Sequence, residues 1–332
     1  MEKRAVPAPL GFRQQEQANA RSLVYKRAGG IVTLRMLVHG ICVEVKLPED
    51  AERFFLANYM CYLPDTGPCK GSAPELNFTA LSDRNGFTVE RNGATVANKS
   101  SSFWLAIDTI LAISKFVERK MNEAGIFSMH SSGIAFGKYG GIVIGDAGSG
   151  KTISAIKSCL LNREFRIISG NRVVVQGSNI VGGAPLLRPR VGPLISLPKV
   201  GELVKSGNIG ERDSKITVMP EELGVKRQTS YPVKLKAIFK VKVLDGKLKV
   251  KESVENSAEN FEKLYSCLSE FSDRFPVAAY GPRIPYPEMF GLKLRKKRAL
   301  KAEFLAKSYG IISLEGNFDS IIKYLVNRMK TP

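Results

Sequence analysis

Apolar and polar residues alternate from Ile31 onward: Ile31, Val32, Leu34, Met36 and Val38, then Ile41, Val43 and Val45. A period of two is the signature of a strand with one buried face, so this stretch predicts two short strands with a turn near Gly40. Residues 1–30 lack such a pattern and read as a loosely ordered lead-in. Asp65-Thr66-Gly67-Pro68 has turn chemistry. Phe87-Thr88-Val89 and Ala94-Thr95-Val96 flank Asn92-Gly93, a strong hairpin signal. The first hundred residues are therefore expected to be mainly β, in one small sheet.

The period then changes. Phe103, Ile107, Ile110, Leu111, Ser114 and Val117 follow helical spacing behind Ser101-Ser102, which predicts a capped helix over about 102–122. Gly133-Ile134-Ala135-Phe136 and Gly141-Ile142-Val143-Ile144 read as strands around a Lys138-Tyr139-Gly140 turn. The second is apolar throughout, as expected of a strand buried on both faces. A helix from Thr152 to about Leu161 and strands at Phe165–Ser169 and Arg172–Gln176 follow. Further on, Ala237–Val243 and Lys247–Val250 flank Asp245-Gly246 and suggest another hairpin. Phe261, Leu264, Tyr265 and Leu268 suggest a helix, Pro282, Pro285 and Pro287 break the chain, and Asn317 is placed to cap a last amphipathic helix. The organisation expected is a β-rich unit over 1–100, a connecting helix over 101–125, and a larger unit over 126–332.

Composition narrows the class. The 332 residues are 44% hydrophobic and 24% charged, a globular balance. No run of 18 apolar residues suggests a membrane-spanning helix, and Met1–Ala20 carries no apolar signal core, so a cytoplasmic location is the expectation. Five cysteines, Cys42, Cys61, Cys69, Cys159 and Cys267, are irregularly spaced and read as reduced thiols; with only His39 and His130 beside them, a zinc site is not expected. Fifty Lys and Arg against 31 Asp and Glu leave a net charge of +19, which points to an anionic partner without choosing it.

One motif does choose. Gly145-Asp146-Ala147-Gly148-Ser149-Gly150-Lys151-Thr152 fits G-x-x-x-x-G-K-[ST] in full, between a buried strand and a helix. Glycines here let successive backbone N–H groups turn inward and wrap a phosphate chain, and the helix N-terminus adds partial positive charge. Lys151 would reach the β- and γ-phosphates of ATP, and the Thr152 hydroxyl would ligate Mg²⁺. A plain glycine turn with a solvated lysine is the alternative, and eight matching residues in this context count against it.

The surroundings of this loop resemble the bacterial HPr kinase/phosphorylase family. His130 lies 15 residues before Gly145, where that family has a histidine-glycine segment. The family's loop begins Gly-Asp-Ser-Gly, and here it begins Gly145-Asp146-Ala147-Gly148; Gly170-Asn171-Arg172-Val173 stands where the family has Asp-Asp-Arg-Val, and Gly182-Gly183-Ala184-Pro185 where it has Gly-Asn-Ala-Pro. The resemblance covers about residues 128–190 and, by order of elements, extends loosely to about 270. The β-rich front looks like the divergent kinases related to that family.

The resemblance implies the α/β (α+β) fold shared with phosphoenolpyruvate carboxykinase, a mixed and partly antiparallel sheet around the loop, with a small β-rich N-terminal domain. It further implies a kinase that transfers the γ-phosphoryl group to a hydroxyl of a peptide, protein or small metabolite, and it is compatible with a homo-oligomer. His130, Lys151, Asn171, Arg172 and Arg190 are the catalytic candidates, with Thr152 and Asn171 on the metal. The departure is the acidic pair: from Ile126 to Arg190 the only acids are Asp146 and Glu164, against eight Lys and Arg. Asn171 offers a carbonyl oxygen but no carboxylate base. An ATP-binding scaffold that no longer transfers, and a nucleotidyl transferase, therefore remain as alternatives.

The remaining candidates each carry a plainer reading. Arg172 either faces the phosphates or pairs with Glu164 at the surface, and Arg188 and Arg190 either hold an anion or sit in a solvated loop. Ser206–Asp213 has glycine hinges suited to a lid bringing Glu211 or Asp213 to the site, against an ordinary surface loop. Lys293, Arg295, Lys296, Lys297, Arg298 and Lys301 form a basic run that would dock an anionic partner or form a solvated helix face. No RNA-module motif accompanies it, so nucleic acid ranks low.

Overall fold

The computed structural model describes residues 24–69, 73–197, 200–201, 215–252, 258–273 and 291–331. The Ser206–Asp213 loop and the three prolines at 282, 285 and 287 lie outside them, as does the lead-in up to residue 23. Its last part, Val24–Ala28, is described and forms a strand. The chain is mixed α/β with two mixed sheets.

The first sheet is built from β1 (Val24–Ala28), β2 (Ile31–Val38), β3 (Ile41–Pro48), β4 (Thr66–Pro68), β5 (Leu76–Leu81), β6 (Gly86–Glu90) and β7 (Gly93–Ala97). Its order is β1-β2-β3-β5-β7-β6, with β4 extending the β1 side of β2. The period-two pattern decides the register: β2 and β3 pair antiparallel from Ile31↔Pro48 to Val38↔Ile41, and Val32, Leu34, Met36 and Val38 all turn to the buried face. A one-residue slip would expose all four.

That face is covered by α1 (Glu49–Tyr62) and α2 (Ser102–Glu123). The front is mainly β and forms one sheet, as expected, but α1 is a helix that the pattern reading did not predict. Its signal was present: Ala51, Phe55 and Tyr59 recur every four residues and are all fully buried, and Glu49, Asp50 and Glu52 suit the positive end of a helix. α2 starts as expected, with the Ser101 side chain accepting from the Trp104 N–H at 3.2 Å. It is buried nearly all round, and it carries Asp108, Lys115, Glu118 and Asn122 inward as well as its apolar residues.

The cysteine reading also changes. Cys42 on β3 and Cys69, just after β4, form a disulfide with Cα atoms 5.9 Å apart. Nothing in their spacing of 27 residues announces it; the pairing of β4 with β2 brings the two together. Cys159 and Cys267 are free and buried.

The second sheet holds β8 (Ile126–His130), β9 (Ser132–Phe136), β10 (Tyr139–Ile144), β11 (Phe165–Ser169), β12 (Arg172–Gln176), β13 (Asn179–Gly183), β14 (Val233–Val243), β15 (Lys249–Glu252) and β16 (Ile312–Gly316). The order is β11-β9-β10-β14-β13-β12-β8. β14 is the spine: β10 runs parallel along one edge, while the other edge pairs first with β13 and then, from Phe239↔Ile312 to Val243↔Gly316, with β16. This corrects the expected hairpin around Asp245-Gly246. Both strands exist, but β16 lies between them and β15 pairs with β16 instead. β16 buries Ile312, Leu314 and Gly316 in turn, and an alternating apolar strand from the end of the chain takes the central position.

Helices cover both faces of this sheet. α3 (Lys151–Leu161) and α6 (Phe318–Lys330) pack on one side with Val143, Phe239 and Val241. α4 (Ala258–Asp273) and α5 (Leu292–Tyr309) pack on the other with Ile142, Ile144 and Ile238. β10 is thus buried on both faces, as its unbroken apolar run requires. The basic run on α5 divides: Lys293, Arg295 and Lys296 are exposed, whereas Arg298 and Lys301 are buried. Lys301 donates to the Gly177 carbonyl and Lys297 to that of Glu123 at 2.7 Å, so the run is not simply a solvated face. Among the described residues no helix is long and apolar enough to cross a membrane.

Candidate functional site

β10 ends at Ile144 and α3 begins at Lys151, with the glycine loop between them. Gly145 has φ 152° and Gly150 φ 96°, conformations that a side chain disfavours. Space forbids one as well: a Cβ on Gly150 would lie 2.5 Å from a Val243 methyl, and one on Gly145 would collide with Ser149 Oγ and come within 2.7 Å of the Val241 carbonyl. The loop is therefore wedged against the C-terminal end of β14. The Val243 N–H donates to the Ser149 carbonyl at 3.1 Å and fastens it there.

Lys151 is buried, and its Nζ donates back to the carbonyls of Gly145 at 2.8 Å and Asp146 at 3.0 Å, crossing the loop it follows. Gly150 offers no side-chain cap, so the N-terminus of α3 opens onto the loop. The Thr152 hydroxyl donates to the Gly170 carbonyl at 2.7 Å, and Ser132 donates to the same carbonyl at 2.8 Å. This joins the loop to the β11–β12 turn. Asn171 sits in that turn; its carbonyl accepts from the Ser131 N–H at 3.2 Å, and its side-chain amide makes no hydrogen bond among the described residues. Ala147 and Gly148 form the exposed crest.

α4 overlies the loop. Lys263 pairs with Asp146 at 2.5 Å. That hydrogen bond and charge, with further pull from Lys240 and Lys151, hold the Asp146 carboxyl below its ordinary range. Cys267 is pushed up to about 11 by burial, with the charges of Lys263, Lys151 and Asp146 also acting on it. One turn further on, Glu270 lies 3.9 Å from His130 Nδ1, and the Phe271 ring is 6.0 Å from the imidazole. His130 closes β8 directly opposite Arg172, beside the Gly170-Asn171 turn.

Arg172 is the main correction. It neither faces the loop nor pairs with Glu164. It is fully buried, and its guanidinium donates to Glu118 at 2.7 Å, Ser114 at 2.8 Å, Ser128 at 2.9 Å and the Tyr62 carbonyl at 2.5 Å, with Phe271 stacked 4.3 Å away. Burial pushes its pKa down and Glu118 pulls it back up. These partners come from α1, α2 and β8, so the side chain ties the two sheets together. Glu164 lies 4.0 Å from Lys330 instead.

Arg188 and Arg190 are exposed. Arg188 donates to the Tyr62 hydroxyl at 2.6 Å, and Arg190 bridges Lys215 through the backbone. Both crowd the Lys215 ammonium and, after its burial, help push its pKa down. They share a basic corner with Leu187, which packs on Gly170.

The structure thus brings together Gly145–Thr152, Asn171 and His130 around the β11–β12 turn and leaves Arg172 out. Sequence reasoning missed Ser132, Lys263 and Glu270. The last two follow the helical spacing of α4 on the side away from Leu264 and Leu268, a signal that marks a polar face without saying what it meets. Among the described residues no group of three or more His, Cys, Asp or Glu could hold a metal. No family model matches the chain, and no curated protein matches it.

Proposed function

We propose that the chain binds a magnesium nucleoside triphosphate at Gly145–Thr152 and transfers its terminal phosphoryl group to a hydroxyl acceptor. The carrying observation is the loop itself: glycines with positive φ between a doubly buried strand and an uncapped helix N-terminus, crossed by Lys151. Backbone N–H groups in such a nest meet an anion without desolvating a side chain, and Lys151 would exchange its two carbonyl partners for phosphate oxygens.

The donor set suits Mg²⁺, which keeps most of its water and takes few protein ligands. Thr152 Oγ1 gives its proton to Gly170, so its lone pairs would be available to a cation, and the Asn171 amide oxygen would be the second ligand. When bound, the ion would draw charge from the phosphate oxygens. Glu270 beside His130 supplies the carboxylate that Gly170-Asn171 lacks, so this pair is assigned to orient the acceptor hydroxyl and take its proton.

The test is a titration of Mg·ATP into the wild type and Lys151→Ala, followed by product analysis with γ-labelled ATP. Magnesium-dependent binding lost in the variant, with label passing to an acceptor, supports the proposal. No binding by the wild type overturns it, and AMP with pyrophosphate redirects it to nucleotidyl transfer. A second reading, nucleotide binding without transfer, draws on the diversion of Arg172 into a buried ion pair; binding without label transfer would favour it.

A further inference from the structure

α5 covers the second sheet with one face and turns the other to solvent. The covering side carries Leu294, Ala302, Leu305 and Ala306, all buried. On the outer side Lys293, Lys296, Leu300, Phe304 and Lys307 are all exposed, and they follow one another at intervals of three or four residues. Such spacing puts them on a single stripe along the helix. Leu300 and Phe304, 55% and 39% exposed, form its apolar centre, with lysines before and after them. A lone exposed apolar side chain needs no explanation. Here, however, three of the nine large hydrophobic residues exposed among the described residues lie on this one helix, the third being Leu292 in its first turn.

The charge on this helix is one-sided. α5 holds seven Lys and Arg and a single acid, Glu303, which pairs with Lys307 at 2.6 Å. Lys297 is held by the Glu123 carbonyl at 2.7 Å. Lys293 and Lys296 make no hydrogen bond or ion pair among the described residues. Their ammonium groups stand on flexible stems beside an apolar strip. That is the layout of a helix lying in a lipid–water interface, where Leu and Phe enter the acyl boundary and lysines reach sideways to the headgroups.

The complement of such a face is negative and yielding. A second copy of the chain would set the same lysines against themselves, in a protein of net charge +19. A nucleic-acid backbone would match the lysines but leave Leu300 and Phe304 against phosphates. An acidic protein would need a groove to enclose a convex helix, whereas a bilayer deforms around it.

We propose that α5 docks the protein on an anionic lipid surface, with Lys293, Lys296 and Lys307 on the headgroups and Leu300 and Phe304 inserted between them. Charge and insertion are each weak alone and act together, as stable peripheral attachment requires. The face shares no residue with the phosphate loop, so the proposal stands or falls separately from the nucleotide reading.

The experiment is flotation of the full chain with vesicles of phosphatidylcholine alone and of equal parts phosphatidylcholine and phosphatidylglycerol. The chain should bind the mixed vesicles more tightly, and added salt should weaken that binding. Replacing Lys293, Lys296 and Lys307 with Gln should weaken it on the order of 100-fold, at about fivefold for each charge near the surface. Because the whole chain is basic, the control replaces three exposed lysines elsewhere, Lys26, Lys46 and Lys99, with Gln; it should bind nearly as the wild type does. Leu300→Ser with Phe304→Ser should cost about tenfold or more, and the lysine variant serves alone if that pair melts early. Phe304→Trp should shift its emission to the blue on the mixed vesicles, a sign of insertion that charge attraction alone does not give. The proposal is overturned if the mixed vesicles are not bound, if the control variant loses as much as the α5 lysine variant, or if the Phe304→Trp emission does not move. It is also overturned if polyglutamate binds at the α5 lysines and the vesicles do not, which would assign the face to an acidic protein.

Discussion

Replacing Arg172 with methionine should destabilise the chain by about 3–5 kcal/mol, the usual cost of removing one partner from a buried ion pair. Arg172 and Glu118 both have no exposed surface and are 2.7 Å apart. Without the guanidinium, Glu118 keeps only the Asn122 amide at 2.7 Å and the Ser128 N–H at 3.2 Å, a carboxylate charge left in an apolar interior. Ser114 Oγ and the Tyr62 carbonyl lose their donor too. For 332 residues, an unfolding entropy of about 2.1 cal/mol/K each makes about 0.7 kcal/mol/K if the chain melts as one unit. The melting temperature should then fall by about 4–7 °C. Arg172→Met/Glu118→Leu should recover much of the loss, because no charge is left unpaired. Urea titrations and thermal melts of the wild type, both single variants and the double variant provide the cycle. An unchanged melt in Arg172→Met, with ATP-dependent labelling lost, would refute this structural assignment and return Arg172 to the reacting centre.

Four other outcomes are expected. Gly150→Ala should abolish nucleotide binding and cost about 1–2 kcal/mol or more for the left-handed backbone alone, read by calorimetry and melting. Glu270→Gln should lower any ATP-dependent transfer by about 10²–10⁴-fold while nucleotide affinity stays level, which steady-state kinetics would separate. Burial lowers Lys301 from 10.5 to about 8, so the unfolded chain holds that proton at higher pH; stability should rise as the folded-state lysine deprotonates between about pH 8 and 10.5, and Lys301→Met should flatten that rise in urea midpoints. Reducing the Cys42–Cys69 disulfide, which closes a separation of 27 residues, should remove about 3–4 kcal/mol, and Cys42→Ala should melt the same with and without reductant.

Local pattern determined much of this protein. The period-two run at Ile31–Val45 makes β2 and β3, the unbroken apolar run at Gly141–Ile144 makes a strand buried on both faces, and Ser101 and Asn317 cap the helices they precede. These features are legible because backbone sterics and burial act over a few residues. The phosphate loop is equally local: its glycines, lysine and threonine are adjacent in sequence, and their spacing alone brings them to one turn.

What surrounds the loop was decided at long range. Arg172 reads as a surface or catalytic arginine until α2 brings Glu118, 54 residues away, against it. Glu270 and Lys263 reach the site only because α4 packs over β8 and the loop. β16 enters between β14 and β15 from about 70 residues downstream, against the local hairpin signal at Asp245-Gly246. His39 and Asp65, in turns beside the first sheet, come together with Arg227, which bridges to Ile167 on β11 of the second. Side-chain spacing reveals which face of an element is apolar. It does not reveal which distant element will cover that face, because this depends on the free energy of burying the whole chain at once.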